Sequence, residues 1–198
     1  MVPTIYLASQ SPRRRDLFFK CGIPVEVVPN ELAIESLDIT VSIRDGVKKL
    51  ALQKAEVSRH RYNGLVIGAD TVVVLNDKVF GKPADSADAY AMISSLQGRW
   101  HTVISAAAII DTANSRSFVR SATARVKVRS MTNRERLEYV RHSDIYDKAG
   151  AYGIQDVGHN IVDEYEGAYD TILGLPLNGV LGILKNYGIV KKKIDLGL

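Results

Sequence analysis

The run Leu65-Val66-Ile67-Gly68-Ala69-Asp70-Thr71-Val72-Val73-Val74-Leu75 constrains the fold of this chain more than any other segment. Nearly every residue is apolar and many are β-branched, so the run reads as a buried strand. Asp70 sits in its middle. An unpaired charge in such surroundings is expensive. Either the strand ends or bends there, or Asp70 points into a polar pocket that holds a cation. Lys82 follows in Phe80-Gly81-Lys82-Pro83, and Arg13-Arg14-Arg15 stands near the start. A carboxylate accompanied by these cations points to a polyanionic ligand.

At 198 residues and 46% hydrophobic, the chain is long enough for one substantial core or two lobes sharing it. Its one cysteine, Cys21, excludes an intrachain disulfide framework and fits a reducing compartment. Cys21 falls at the apparent end of a helix and reads as a buried structural thiol. No stretch has the length and apolarity of a membrane span, so a soluble, cytoplasmic protein is expected. A net charge of +4 suits an anionic ligand. The basic residues are not interleaved with aromatics, which argues against a nucleic-acid platform. Lys191-Lys192-Lys193 reads as a solvated tail.

Periodicity gives the elements. Thr4 to Ala8 reads as a strand, and Ser11 then caps a helix that Pro12 opens and that runs to about Lys20, with Leu17 and Phe18 inward. Pro24 to Val28 reads as a second strand. Ile43, Val47, Leu50, Ala51 and Ala55 recur at the helical period up to about Arg59, with Lys54 on the border of their stripe. Asn76-Asp77 reads as a hairpin turn returning the chain through Lys78-Val79-Phe80, so that Asp70 and Lys82 can approach across it. Pro83 keeps Lys82 extended.

Further along, Asp85 to Leu96 reads as a helix with Ala87, Tyr90, Ala91 and Ile93 near one face, stopped by Gly98. Val103 to Ile110 and Phe118 to Val128 read as adjacent strands, the second with one solvated face. Thr132-Asn133-Arg134-Glu135 fits a capping box, opening a helix with Leu137 and Val140 inside. Asp144 to Gln155 reads as a polar loop, and Pro176 opens a last helix. The mixture predicts an α/β protein.

Three devices for anions meet in Ser9-Gln10-Ser11-Pro12-Arg13-Arg14: a helix N-terminus, serine hydroxyls and guanidinium forks. Successive helical arginines point about 100° apart, so one can grip phosphate while the other braces or closes the site. The same segment also fits an ordinary capped helix with surface arginines. Asp70 fits either a turn-bonded strand end or a group that binds Mg²⁺ or orients an attacking water. Lys54, Lys82 and Lys148 are suited to neutralise charge developing on phosphoryl oxygens. In Asp147-Lys148-Ala149-Gly150-Ala151-Tyr152-Gly153-Ile154-Gln155, small residues allow close backbone approach, and Gln155 both donates and accepts, as reading a base edge requires. A glycine-containing turn with a local Asp-Lys pair is the plainer alternative. His101 and His159 lack metal-ligand spacing to Cys21, and Gly68 belongs to no Walker or dinucleotide fingerprint.

Taken in order, Leu7-Ala8-Ser9-Gln10-Ser11-Pro12-Arg13-Arg14, Lys54-Ala55, Gly68-Ala69-Asp70-Thr71-Val72-Val73, Gly81-Lys82-Pro83, Leu96 with Gly98, His101 with Val103, the Asp147–Gln155 segment and Gly174-Leu175-Pro176-Leu177 resemble the Maf family of nucleoside triphosphate pyrophosphatases. The resemblance spans essentially the whole chain. It implies a single Maf-like domain over residues 1–198, a mixed α/β fold of two lobes around an elongated mixed sheet with a central cleft, and a homodimer. It implies a divalent cation, Mg²⁺ or Mn²⁺, and attack of water on the α-phosphate of a nucleoside triphosphate.

Carried over residue by residue, Ser9, Arg13, Arg14, Lys54, Lys82 and Lys148 line the phosphate site. Asp70 is the essential carboxylate, as metal ligand, water-orienting base or both. Asp144 stands where the family commonly has glutamate and is expected to reach a metal through water. Ile154-Gln155 resembles the branch acting on dTTP and UTP, whereas the branch acting on 7-methyl-GTP carries Ile-Glu there. Thr171 replaces the family's usual asparagine. A non-catalytic nucleotide-sensing regulator of cell division is the alternative from another class, and 7-methyl-GTP is the alternative base preference.

Overall fold

A computed structural model of the protein describes residues 2–30, 32, 37–38, 40–141, 143–155 and 160–190. Lys191–Lys193 and His159 lie outside the described residues. The elements follow in the order β1 (Ile5–Ala8), α1 (Pro12–Lys20), β2 (Glu26–Val27), α2 (Ile43–Ser58), β3 (Leu65–Leu75), β4 (Lys78–Phe80), α3 (Ser86–Leu96), β5 (Trp100–Asp111), β6 (Arg116–Val128), α4 (Asn133–Val140), β7 (Val162–Glu166), α5 (Tyr169–Ile172) and α6 (Leu177–Lys185). Two 3₁₀ turns, Ser143–Asp147 and Ala149–Ala151, stand between α4 and β7.

The strands form a seven-stranded mixed sheet in the order β2-β1-β3-β5-β6-β7, with β4 paired to β3 off that path. β1 runs parallel to β2 and β3, while the β3–β4 and β6–β7 pairs are antiparallel. The mixed α/β expectation therefore holds. Two compact units share the chain, one made of residues 1–70, 105–122 and 174–198, the other of residues 71–104 and 123–173.

In the first unit the parallel pairing of Ile5 to Ala8 with Leu65 to Gly68 runs through the buried part of β3. Leu17 and Phe18 of α1 are buried, as are Val47, Leu50, Ala51 and Ala55 of α2. Ser42 caps α2 by accepting from the Asp45 N–H. Ser11 does occupy the cap position of α1, yet its side chain makes no capping bond. β2 is only two residues long, shorter than the expected Pro24–Val28 strand. Cys21 is half-buried at the C-cap of α1 and not the buried thiol expected.

The second unit is built on a cluster of Val73, Phe80, Ile93, Leu96, Val103, Val126, Val128, Val140 and Ile145, among others. The β3–β4 hairpin forms as expected, with Leu75 opposite Lys78 and only Asn76-Asp77 between them. Both turn residues are left-handed, φ 48° and 63°, the geometry that matches the twist of the strands it joins.

Two helix faces differ from expectation. In α3 the buried residues are Ala89, Met92, Ile93 and Leu96, a regular i, i+3, i+4, i+7 stripe; Ala87 and Ala91 are exposed. In α4 the capping box of Thr132 and Glu135 is present, but Leu137 is 45% exposed. The buried residues there are Tyr139 and Val140. Arg136 lies on the same face, donating to the Met131 carbonyl at 2.7 Å and to the Tyr90 hydroxyl at 3.2 Å. At about 100° per residue this face points roughly 110° away from Leu137. The expected polar loop from Asp144 to Gln155 contains the two 3₁₀ turns.

Candidate active site

Asp70 has the partner that its place in the strand demands. Lys54 Nζ donates to Asp70 Oδ1 at 2.7 Å, and the two residues are 6% and 7% exposed. Lys54 is not on the border of the α2 stripe but fully within it, beside Ala51 and Ala55.

Gly68 makes this possible. A Cβ built there would lie 2.4 Å from the Ala51 carbonyl oxygen and 2.5 Å from the Ala55 nitrogen, far inside contact distance. The missing side chain lets the α2 backbone rest on β3, and Lys54 arrives beside Asp70 from that close approach. A glycine inside a strand is the sequence signal for such proximity.

Arg14, in the first turn of α1, fastens three segments of the same unit. Its Nε donates to the Gly174 carbonyl at 2.7 Å, and Nη1 donates to Ser9 Oγ and to the Ala69 carbonyl, each at 3.0 Å. Ser9 Oγ also accepts from the Ser11 N–H at 3.3 Å. The structure thus brings Ser9 and Arg14 together and ties both to the residue preceding Asp70. Arg13 is half-buried one position earlier on the helix. Arg14 braces this region.

The remaining candidates belong to the second unit. Lys82 is exposed and follows two residues beyond Phe80, the last paired residue of β4. Lys148 is buried and stands at the N-terminal end of the 3₁₀ turn Ala149–Ala151, without a capping bond from its side chain. The Gly150 N–H donates to the Gly81 carbonyl at 2.9 Å, which joins the Lys148 segment to the residue before Lys82. Gln155 is exposed and shares a side-chain hydrogen bond with the Tyr169 hydroxyl, whose pKa burial pushes up. Asp144 is exposed on the 3₁₀ turn Ser143–Asp147.

Thr171, at the departure from the family pattern, is buried, and its hydroxyl donates to Asp170 Oδ1 at 3.2 Å. Burial pushes the Asp170 carboxyl upward while this bond works against the shift. Asp170 and Tyr169 were not singled out from the sequence. Both fall in a helix of four residues, too short to leave a periodic signal.

Among the described residues no three His, Cys, Asp or Glu side chains gather into a metal-binding group. Mg²⁺ is commonly held by one or two carboxylates completed by substrate phosphates and water. Asp70, with one oxygen on Lys54, fits as the protein's share of such a site when a polyphosphate brings the other ligands.

The sequence matches the profile described as "Maf: Maf-like protein" over residues 4–187. The chain belongs to the Maf family. A Maf relative from Acetivibrio thermocellus, a dTTP/UTP pyrophosphatase, is 41% identical over 199 residues, covering 96% of this chain and 98% of its own. Another dTTP/UTP pyrophosphatase, from Syntrophomonas wolfei subsp. wolfei, is 41% identical over 183 residues, covering 92% of this chain and 96% of its own. A crystal structure of a dITP/XTP pyrophosphatase from Mycobacterium abscessus overlaps 93% of this chain and 95% of its own at 13% identity and a TM-score of 0.45, too distant to carry a conclusion. No helix among the described residues is long and apolar enough to cross a membrane.

Proposed function

We propose that this Maf protein hydrolyses dTTP and UTP between the α- and β-phosphates, releasing nucleoside monophosphate and pyrophosphate. Its membership of the family, with end-to-end similarity to dTTP/UTP pyrophosphatases, makes it a nucleoside triphosphate pyrophosphatase. The observation that carries the reading is the buried Lys54–Asp70 pair beside the Ser9–Arg14 brace, a carboxylate kept in an apolar strand with a cation on it.

In the first unit, Asp70 orients the attacking water and is the residue suited to hold the divalent ion. Mg²⁺ or Mn²⁺, when bound, draws negative charge from the phosphate under attack. Lys54 takes up charge on the phosphoryl oxygens. Ser9 and Arg13 bind phosphate, while Arg14 holds the surrounding backbone in place. In the second unit, Lys82 and Lys148 are phosphate ligands, and Gln155 reads the pyrimidine edge with its amide. The family resemblance supports these roles and also supports a cytoplasmic homodimer.

A chromatographic assay of dTTP, UTP and 7-methyl-GTP with Mg²⁺ tests the reading. Monophosphate and pyrophosphate are the expected products, with dTTP and UTP preferred. Diphosphate plus phosphate would overturn α-phosphate attack, and a preference for 7-methyl-GTP would overturn the role of Gln155. Absence of turnover with retained nucleotide binding would favour the sensor class. Asp70→Asn is expected to keep the circular dichroism spectrum and to lower kcat by at least about 100-fold, comparable to the loss of a group acting in the transition state.

A further inference from the structure

The proposed chemistry makes no use of a buried polar pair between β5 and the segment after Lys148. His101 Nε2 lies 2.6 Å from the Tyr152 hydroxyl, and the two rings meet edge to face with centroids 5.3 Å apart at 79°. The residues are 3% and 5% exposed, and Tyr152 belongs to the apolar cluster of the second unit. Burial pushes His101 down to about 4 and Tyr152 upward, so the bond joins a neutral imidazole and a neutral phenol at neutral pH.

Stability alone does not explain an imidazole here. Its other nitrogen, Nδ1, is buried and makes no well-aligned hydrogen bond among the described residues, while a bond from the ring to the Arg99 backbone works against the downward shift. An apolar side chain would avoid burying a nitrogen so poorly paired.

The backbone next to Tyr152 shows what the pair holds. Gly150 and Ala151 are both left-handed, with φ 72° and 60°. Ala151 carries a Cβ, and such a conformation persists only where its surroundings enforce it. On one side of it Gly150 is clamped: its N–H bonds the Gly81 carbonyl, and an added Cβ would meet Val73 at 3.1 Å and Leu96 at 3.3 Å. On the other side Tyr152 is packed in the apolar cluster and bonded to His101.

We infer that His101 is a positioning residue: acting through Tyr152, it fixes the strained turn that sets Lys148 and Gln155 for the nucleotide. The inference rests on the nucleotide-binding roles proposed above for those two residues. His101 touches no reacting atom and works only by anchoring the segment between them.

Tyr152→Phe keeps the ring and removes one oxygen, so it tests the latch with little change in packing. It is expected to raise KM for dTTP about tenfold, in keeping with small displacements of binding groups, while kcat stays within about threefold. The amides of residues 149–155 are expected to lose hydrogen-exchange protection. Because both residues make one bond, the double variant Tyr152→Phe/His101→Phe should be no worse in KM than either single variant. His101→Gln, which offers an amide to the phenol, should bring KM back towards that of the unmodified enzyme.

Tyr152→Phe with unchanged KM and unchanged exchange in this segment would overturn the inference, whatever its melting temperature. Additive losses in the double variant would do the same. Failure of the unmodified protein to hydrolyse dTTP or UTP would instead count against the proposed function. Hydrogen exchange would still decide whether the latch holds the turn.

Discussion

Lys54 and Asp70 share a 2.7 Å hydrogen bond with both side chains almost out of water. Replacing a buried pair of this kind by apolar residues is often neutral, whereas removing one member leaves the other charge stranded. The pair is therefore weak evidence for a purely stabilising role and better evidence for a chemical one. His101 has a different signature at the same scale. Its folded pKa of about 4 lies below the ordinary 6.5, because burial disfavours the charged ring. Between those values the unfolded chain binds more protons than the folded one, so stability rises with pH through the window and is lost as pH falls from about 6.5 to about 4. The shift corresponds to roughly 3 kcal/mol. In urea titrations at pH 4.5 and 7, the unmodified protein is expected to lose more stability on acidification than His101→Gln. Equal losses in the two proteins would show that His101 is not held neutral by the fold.

Helix α2 and strand β3 depend on one missing side chain. Gly68→Ala places a methyl group against backbone atoms of Ala51 and Ala55, which cannot swing aside as a side-chain tip can. The helix must shift, and the Lys54–Asp70 bond shifts with it. The expected outcome is a loss of about 3 kcal/mol or more in urea unfolding together with a fall in kcat/KM. A variant with native stability and activity would mean that α2 can move away without consequence.

Many elements were legible because their signals are local. Pro12 at the first turn of α1, the apolar period of α2, the alternation in β6 and the Thr132–Glu135 box each occur as expected. The inward face of α4 was legible only at Val140, since an arginine paired with a backbone carbonyl and a tyrosine hydroxyl shares that face, and Leu137 is left outside. Periodicity alone does not foresee a half-buried polar side chain whose partners lie elsewhere. The bends of the Lys148 segment escaped for a related reason. Gly150 was a visible signal, but Ala151 at φ 60° is a conformation that its residue type disfavours.

The chain crosses between the two units inside strands β3, β5 and β6, at residues 70/71, 104/105 and 122/123, and once between α5 and α6, at 173/174. No Gly-, Pro- or Ser-rich linker marks the three crossings inside strands, which explains why composition gave no boundary there. Three strands crossing one border join the units through continuous backbone. Urea unfolding is therefore expected to follow one transition, with far-ultraviolet dichroism and the fluorescence of the single tryptophan, Trp100, coinciding. Two separated midpoints would show that the units unfold independently. The site was legible at this scale in part: Asp70 and the cations drew attention by their chemistry, and the ordered family motifs gave the reaction. Arg14's anchors, the Ala69 and Gly174 carbonyls, were beyond sequence reading because a backbone oxygen has no residue identity.

The Asn76-Asp77 turn also bears on how the chain is made. A two-residue hairpin closes in about 1–10 μs, while a ribosome adds roughly 5–20 residues per second. The pairing of Leu75 with Lys78 is thus sampled many thousands of times before the next residue is added. An isolated hairpin is only marginally stable, so it flickers until the α3 residues emerge to cover Val73 and Phe80. The direction of the chain leading to Lys82 is rehearsed by its immediate neighbours during synthesis, well before α6 exists.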